Sequence, residues 1–178
     1  MKKILLLYSG GLDSTVLLHM ALNQGHQVQC LGFNYGQVHK RELSMASLMC
    51  EKMEVPYQII NIELPIRAKL LDGETTYKDV SPWHVPSRNL IFVAIAASIA
   101  ESSNLDQIWY GANYEDREHL FPDCYQEWVY LMNKVLAING STDITLEAPL
   151  LGMTKDTILG LAKEYKINYN EIFSGYGQ

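Results

Sequence analysis

The chain has few cysteines, and their spacing argues against two classes of small protein. Its three cysteines are Cys30, Cys50 and Cys124, and no two of them form a Cys-x-x-Cys pair. Neither a disulfide framework nor a zinc knuckle is therefore indicated. Reduced thiols and a cytoplasmic location are the expectation.

Long hydrophobic runs and an excess of positive charge are also missing. The run "ILLLYS" near the start is broken by glycines and Asp13, and "LIFVAIAASIA" at 90–100 is too short to cross a bilayer. No membrane association is expected. The 14 basic and 20 acidic side chains give a formal net charge of −6, which disfavours direct binding to nucleic acid. A local basic pocket for a small anion is compatible with this charge.

Strand and helix patterns alternate along the 178 residues, a length that suits one domain. Apolar runs predict strands at 4–8, 28–35, 57–62, 107–112 and 144–150. Helical periodicity predicts helices at 14–23, 39–53, 88–102, 125–138 and from Thr154 to about Tyr165. The alternation predicts a single α/β domain over residues 1–178, with a doubly wound, mostly parallel five-stranded sheet and helices on both faces.

Polar side chains follow the predicted strands, where a doubly wound sheet binds its ligand. These positions are Ser9 to Ser14, Asn34 to Gln37 with His39, the group Asn113, Glu115, Asp116 and Arg117, and around the fifth strand Glu147, Thr154 and Lys155. We therefore expect a functional site at one edge of the sheet, although loops are polar in many proteins.

The segment "LLLYSGGLDSTVLLH" at 5–19 places two glycines and a carboxylate between a buried strand and a helix. Helix N-terminal amides are unpaired and partly positive, and glycines let an anion approach them. The segment predicts a phosphate site, although it has neither the Walker ending nor a G-x-G-x-x-G pattern. Asp13 beside a phosphate implies a bridging cation such as Mg²⁺. A tight turn with an Asp or Ser cap is the alternative interpretation.

The S-G-G-x-D-S run resembles the pyrophosphate loop of the ATP pyrophosphatase superfamily, whose fold is adenine nucleotide alpha hydrolase-like. Other segments resemble the 7-cyano-7-deazaguanine (preQ0) synthase family: "FNYGQVHKREL" at 33–43, "VPSRNLIF" at 85–92, "GANYEDREHLFPDC" at 111–124 and "EAPLLGMTK" at 147–155. The resemblance implies conversion of 7-carboxy-7-deazaguanine and ammonia to the nitrile through an adenylated acid and an amide, in queuosine-type biosynthesis. ATP and Mg²⁺ are the implied cofactors, and a homodimer is expected.

The resemblance also implies roles for individual residues. ATP would be held by Tyr8, Ser9, Gly10, Gly11, Leu12, Asp13, Ser14 and Thr15. The catalytic residues would be Asp13, Ser14, Arg88 and Lys155. The substrate would be bound by Arg88, Asn89, Gly111, Asp116, Asp123 and His39.

A separate electrostatic argument supports anion binding by Arg88 and Lys155. Each opens a predicted helix, where a cation is unfavourably placed unless an anion binds nearby. A solvated surface side chain is the alternative for both. Asp116 and Asp123 could contact Mg²⁺ or the amino edge of a guanine-like base, but Asp123 could equally cap the helix from Tyr125.

Further residues are open to structural explanations. His39 could shuttle protons, or could merely cap a helix or pair on its surface. Trp83 and His84 lie in a long connection at 71–87 and could stack on a flat base, pack in the core or form a dimer contact. Cys124 is interpreted as a structural thiol because no base adjoins it in the sequence.

The chain departs from the family pattern at three places. Ser87 stands where the family has glycine, and His119-Leu120-Phe121 replaces Ser-Gly-Tyr before Pro-Asp-Cys. The family's four zinc-binding cysteines are missing, and Gly175 lies near the expected position of the first. Zinc is therefore not expected.

These departures leave alternatives open. The chain would be a compact variant, such as a phage would carry, a truncated one, or an enzyme that stops at the amide. A pyrophosphate-loop enzyme acting on tRNA or on another carboxylate, and a non-catalytic ATP-binding protein, are the other possibilities.

Overall fold

The computed structural model describes residues 1–37, 41–64, 85–118, 121–140 and 143–172. Within them the strands are β1 (Lys3–Leu7), β2 (Gln27–Asn34), β3 (Tyr57–Asn61), β4 (Gln107–Trp109) and β5 (Thr145–Glu147). The α-helices are α1 (Leu12–Asn23), α2 (Arg41–Lys52), α3 (Arg88–Ser102), α4 (Tyr114–Glu118), α5 (Gln126–Asn139) and α6 (Lys155–Glu164). Two short 3₁₀ helices cover Pro122–Cys124 and Tyr169–Glu171.

The strands form one parallel sheet in the order β3-β2-β1-β4-β5. At its centre Leu6 is paired with Cys30 of β2 on one side and with Trp109 of β4 on the other. The chain winds outward from β1 to β3 and then crosses back to β4. The order confirms the predicted doubly wound fold and places the reversal of direction between β1 and β4.

Helices cover both faces of the sheet, because the alternating side chains of β1 are apolar on both sides. Ile4 and Leu6 point to a core shared with α1, α2 and α6. Leu5 points to a second core shared with β2, α3 and α5. Burial of β1 on both faces explains why its sequence is a continuous apolar run.

The helix ends follow local signals that the sequence predicts. Thr154 caps α6 by accepting a hydrogen bond from the Thr157 amide at 3.3 Å. Gly25 follows α1 in the left-handed conformation at φ +73°, which is typical of a residue just beyond a helix. On α2, the apolar side chains of Ala46 and Met49, three positions apart on one helix face, are buried.

Strand ends near the site differ from the prediction. Two strands were predicted to reach 112 and 150, but β4 ends at Trp109 and β5 at Glu147. Beyond β5 the chain turns, with the Leu151 amide donating to the Ala148 carbonyl at 3.0 Å. Helix α1 begins at Leu12, two residues earlier than predicted, and the short α4 was not predicted.

Part of the predicted connection at 71–87 lies outside the described residues, including Trp83 and His84. His39, His119, Leu120 and Gly175 also lie outside them. No helix in the described part of the chain has the length and apolar character needed to cross a membrane.

Candidate active site

The candidate site lies where the carboxyl ends of β1 and β4 meet. These strands are neighbours in the sheet, and the chain leaves them in opposite winding directions. Parallel sheets bind ligands in the crevice that opens at such a point. The segments following the two strands, 8–14 and 110–116, supply most of the polar groups described below.

The segment after β1 turns sharply into α1 at two glycines. Gly10 has φ +82°, and a Cβ atom there would lie 2.9 Å from the Glu42 backbone oxygen of α2. Gly11 is the N-cap of α1 and makes no side-chain cap hydrogen bond. The turn therefore brings backbone close to α2 and leaves the first amides of α1 without a side-chain cap, as a phosphate-binding loop requires.

Hydroxyl groups brace this loop from inside. The Ser14 hydroxyl donates to the Gly11 carbonyl at 3.0 Å and lies 3.2 Å from the Ser9 hydroxyl. Thr15 also donates to the Gly11 carbonyl, at 2.9 Å, and its hydroxyl is 3.2 Å from that of Tyr8. Because Tyr8 and Thr15 are buried, their side chains support the loop from behind, while Ser9 is exposed at its front.

Asp13 of α1 and Lys155 of α6 form an ion pair. The Lys155 Nζ lies 2.6 Å from Asp13 Oδ2, and the two side chains are 30% and 19% exposed, respectively. The other carboxylate oxygen, Asp13 Oδ1, is buried and has no hydrogen-bond partner among the described residues. A carboxylate with one oxygen paired and the other desolvated is a group that a cation would complete.

Asn113 connects this ion pair to the segment after β4. Its Nδ2 lies 3.0 Å from Asp13 Oδ2 and 2.6 Å from Asp116 Oδ2. The Lys155 amide also donates to Glu115 Oε1 at 2.9 Å. Asp13, Asp116 and Lys155, three residues selected from the sequence, therefore lie in one hydrogen-bonded group.

Gly111 lies against the first turn of α1. A Cβ atom at this position would be 3.5 Å from the Ser14 amide nitrogen and 3.5 Å from the Asp13 Cβ, which is ordinary van der Waals contact. The lack of a side chain at Gly111 therefore leaves space directly beside the loop.

Asn89 and Asp123, both predicted to bind the substrate, contact each other. Asn89 Nδ2 donates to Asp123 Oδ2, and the Tyr110 hydroxyl donates to the Asp123 backbone carbonyl at 2.5 Å. The alternative that Asp123 caps the following helix is wrong, because the N-cap of α5 is Tyr125 and no side chain caps it. The Asp123 carboxylate instead joins the segment after β4 to α3.

Arg88, at the start of α3, has a partner within the chain. Its Nη1 donates to the Tyr35 hydroxyl at 3.2 Å, and its guanidinium carbon lies 5.7 Å from the centre of the Tyr35 ring. Arg88 is therefore neither a freely solvated cation nor joined to Asp13 by a hydrogen bond. Beside Tyr35, an open pocket of about 460 Å³ extends along the carboxyl ends of β2 and β3, with Asn34 and Asn61 in its wall.

Comparison with known proteins places this chain in a family. The family profile described as queuosine biosynthesis protein QueC matches residues 3–178. The chain belongs to this family. The match includes the loop after β1, the segment after β4 and the start of α6, which together form the site.

Two curated relatives show the extent of the similarity. A 7-cyano-7-deazaguanine synthase of Alteromonas mediterranea is 33% identical over 187 residues, which cover 98% of this chain and 84% of the relative. A 7-cyano-7-deazaguanine synthase of Caldicellulosiruptor bescii is 34% identical over 178 residues, which cover 94% of this chain and 80% of the relative.

A solved structure confirms the fold alone. The U34-tRNA thiolase NcsA from Methanococcus maripaludis superposes with a TM-score of 0.62 at 19% identity. The superposition covers 99% of this QueC-family chain but 61% of the thiolase, so the chain spans about three-fifths of that protein's length.

Ser87 departs from the QueC pattern at a position where the backbone conformation favours glycine. This residue precedes α3 and has φ +55° and ψ 15°, in the left-handed region. Glycine adopts that conformation readily, whereas a residue with a Cβ atom is disfavoured there by about 1 kcal/mol. A glycine would therefore suit this turn, which this QueC-family chain makes with serine.

Cys124 lies beside the site but is poorly suited to act as a nucleophile. It is buried, and burial together with the negative charges of Asp123 and Asp116 raises its pKa to about 12. A thiol with this pKa stays protonated at neutral pH. The finding agrees with the structural interpretation of Cys124.

Three residues of the candidate site were not selected from the sequence as site residues. Asn113 and Tyr35 were noted only among the polar residues that follow the predicted strands, and Tyr110 was given no role. The Tyr35 hydroxyl accepts a hydrogen bond from Arg88, 53 positions away, and the Tyr110 hydroxyl donates to Asp123, 13 positions away, so no local spacing pattern indicates either tyrosine. Asn113 could have been found as the cap of α4, had that five-residue helix been predicted.

Proposed function

We propose that this QueC-family chain converts 7-carboxy-7-deazaguanine and ammonia to 7-cyano-7-deazaguanine with ATP, through an adenylated acid and an amide. The names of its relatives and the full-length family match support this activity. The observation that carries the assignment to this site is the Asp13–Lys155 pair at the junction of β1 and β4. There the first turns of α1 and α6 converge, and two helix N-termini favour an anion such as triphosphate.

The loop after β1 is the proposed phosphate site. The uncapped first amides of α1 would donate to phosphate oxygens, the exposed Ser9 hydroxyl would add a donor, and Ser14 would add another by releasing the Gly11 carbonyl. Lys155 would exchange part of its contact with Asp13 for the negative charge that develops on the departing pyrophosphate. Donors that are already positioned stabilise this charge without reorganisation.

Asp13 fits a magnesium ion that accompanies ATP. Its buried Oδ1 has no hydrogen-bond partner among the described residues, and carboxylate oxygen is a ligand that Mg²⁺ prefers. When bound, Mg²⁺ supplies positive charge that neutralises the phosphates. Asp13 itself would orient the nucleotide, because α1 and the hydrogen bond from Asn113 fix its side chain.

The chemistry proceeds in two activations. The substrate carboxylate attacks the α-phosphorus of ATP and pyrophosphate leaves; ammonia then displaces AMP and forms the amide. The amide oxygen then attacks the α-phosphorus of a second ATP and a second pyrophosphate leaves; loss of AMP and of the two amide protons forms the nitrile. Both activations use the same groups of the chain, namely the loop amides and Lys155, and both depend on holding the two reactants in line.

Asn89 and Asp123 form the proposed binding site for the heterocycle. A carboxylate accepts hydrogen bonds from two neighbouring N–H groups, which is the pattern on the amino edge of a guanine-like base. Asn89 holds Asp123 through Oδ2, so the carboxylate is already oriented before the substrate binds. Arg88, held by Tyr35, would approach the anionic groups of either substrate.

The experiment that tests the function is mass spectrometry of the products formed from 7-carboxy-7-deazaguanine, ATP, Mg²⁺ and ammonium. The nitrile, AMP and pyrophosphate are expected. A second reaction should start from synthetic 7-amido-7-deazaguanine. An inert amide with continued consumption of the acid would identify an amide synthase instead, and an unchanged acid would contradict the proposal. The homodimer remains a prediction that sedimentation velocity would test.

A further inference from the structure

Asn113 is fully buried and uses both ends of its side chain in hydrogen bonds. It is 0% exposed, and its Oδ1 accepts the backbone amides of Glu115 and Asp116 at 3.0 and 3.1 Å. These two bonds cap α4. Its Nδ2 donates to Asp13 Oδ2 and to Asp116 Oδ2, so a single nitrogen contacts one carboxylate from each side of the β1–β4 junction.

A neutral amide suits this position on electrostatic grounds. The Oδ1 end must accept from two amides, and the Nδ2 end must donate to two carboxylates, which satisfies both hydrogens of the nitrogen. Aspartate would keep the cap but would present a third carboxylate to Asp13 and Asp116. Alanine would lose the cap and leave buried polar groups without partners, which is costly. The capping role and the role toward the carboxylates are therefore separable by substitution.

The Asp13 carboxylate needs a second hydrogen-bond donor to fix its orientation, because a cation contacts only one of its two oxygens. Lys155 contacts Oδ2 from α6, and Asn113 contacts the same oxygen from the segment after β4. Two donors at Oδ2 direct the other oxygen, the buried Oδ1, to one place. The carboxylate introduced by Asn113→Asp would instead repel Asp13 and compete with it for Lys155.

We propose that Asn113 is a positioning residue, which acts through Asp13 to hold the carboxylate in the orientation that receives the magnesium–ATP complex. This role deepens the proposed function and rests on its assignment of Asp13 to the nucleotide. It does not depend on which acid is activated.

A double-mutant cycle tests whether Asn113 acts through Asp13. The variants are Asn113→Asp, Asp13→Ala and the combination, and the measurement is the dissociation constant for ATP with excess Mg²⁺ by isothermal titration, without any acid substrate. Asn113→Asp should weaken binding about tenfold or more, as expected for loss of a hydrogen bond to a charged group. In the Asp13→Ala background the same change should have an effect of less than about twofold.

Asn168 provides a matched control. It caps the 3₁₀ helix at Tyr169–Glu171 by accepting the Asn170 amide at 3.1 Å, and its Nδ2 donates to Glu171 Oε1 at 3.1 Å. Asn168→Asp thus also replaces an amide nitrogen next to a carboxylate by an oxygen, and it should leave ATP binding unchanged. An equal loss of affinity in Asn168→Asp would overturn the proposal by showing a general effect of this substitution.

A second variant keeps the test decisive if Asn113→Asp does not fold. The double substitution Asn113→Asp with Asp116→Asn keeps the cap and the number of carboxylates, and it removes the donor to Asp13. If this variant folds, weak ATP binding supports the proposal and wild-type affinity contradicts it. In the double-mutant cycle, the proposal is contradicted if Asn113→Asp weakens ATP binding equally in the wild-type and Asp13→Ala backgrounds. If the wild type binds ATP with the expected coupling but forms neither amide nor nitrile, the proposed function fails and the role of Asn113 stands.

Discussion

Asp13 and Lys155 are 142 residues apart in the chain, but the Lys155 Nζ lies 2.6 Å from Asp13 Oδ2. The pair joins α1 to α6, the first and last α-helices of the described residues, across the point where the sheet reverses its winding direction. It therefore combines two roles: it holds α1 and α6 together, and it sets the charge of the site. A comparison of stability with activity separates these roles.

Asp13→Asn and Lys155→Met should each lower pyrophosphate release by about 10²-fold or more, because each removes a preorganised charge from the reacting phosphates. Lys155→Met should also lower the melting temperature, since it leaves the half-buried Asp13 carboxylate without its cation. The double variant should regain stability relative to Lys155→Met without regaining activity. Recovery of activity in the double variant would show that the pair is structural only.

A comparison of Gly10→Ala with Gly25→Ala separates the cost of backbone strain from the cost of a steric clash. Both glycines have positive φ, +82° and +73°. A Cβ atom at Gly25 meets no described atom within 4 Å, so its substitution should cost about 1–2 kcal/mol of unfolding free energy from the backbone alone. At Gly10 the Cβ atom would lie 2.9 Å from the Glu42 oxygen, and overpacking should add about 1–3 kcal/mol.

Urea denaturation of the two alanine variants measures this difference. Gly10→Ala should also weaken ATP binding, because the loop must move away from α2. Equal stability of the two variants would mean that the loop adjusts easily, and the close approach to α2 would then have no energetic importance.

Asn133 of α5 should stabilise the edge strand β5. Its Oδ1 accepts the Leu146 amide at 2.7 Å, and its Nδ2 donates to the Leu146 carbonyl at 2.9 Å. Asn133→Ala should therefore lower the free energy of unfolding by about 1–3 kcal/mol, since both backbone groups lose their partner. Asn139, which is exposed on the same helix, is the control: Asn139→Ala should change stability by less than about 0.5 kcal/mol. Similar losses in both variants would point to helix propensity rather than to the edge of β5.

His19 should make stability depend on pH. Burial lowers the pKa of His19 in the folded protein. There its ring stacks on that of Tyr165, with 6.0 Å between the ring centres. The unfolded chain then binds a proton more readily, so this contribution to stability is present above the ordinary histidine pKa and is lost as the pH falls through the lowered value. Melting temperatures of the wild type and of His19→Gln should converge toward acidic pH. A wild-type profile that rises as the pH falls from about 7 to 5 would contradict this sign.

Local interactions explain what could be predicted at the level of elements. Thr154 and Gly25 mark helix ends through their own side chain or backbone, and β1 is recognised because both its faces are apolar. The two glycines and Asp13 indicate an anion site because a strand-to-helix turn has exposed amides wherever it occurs. The family resemblance then adds the chemistry, which no periodicity in the chain could supply.

Only the tertiary structure decided which of the selected residues meet. Asp13 contacts Lys155 and Asn113, whereas Arg88 contacts Tyr35 and Asp123 contacts Asn89 instead of capping α5. These contacts depend on the strand order β3-β2-β1-β4-β5, which sets β4 beside β1 although about 100 residues separate them. The sequence by itself determined the strands and long helices, apart from some of their ends, and the chemical groups, because those follow from neighbours in the chain. The structure decided the pairs, because each pair joins segments brought together by packing of the sheet.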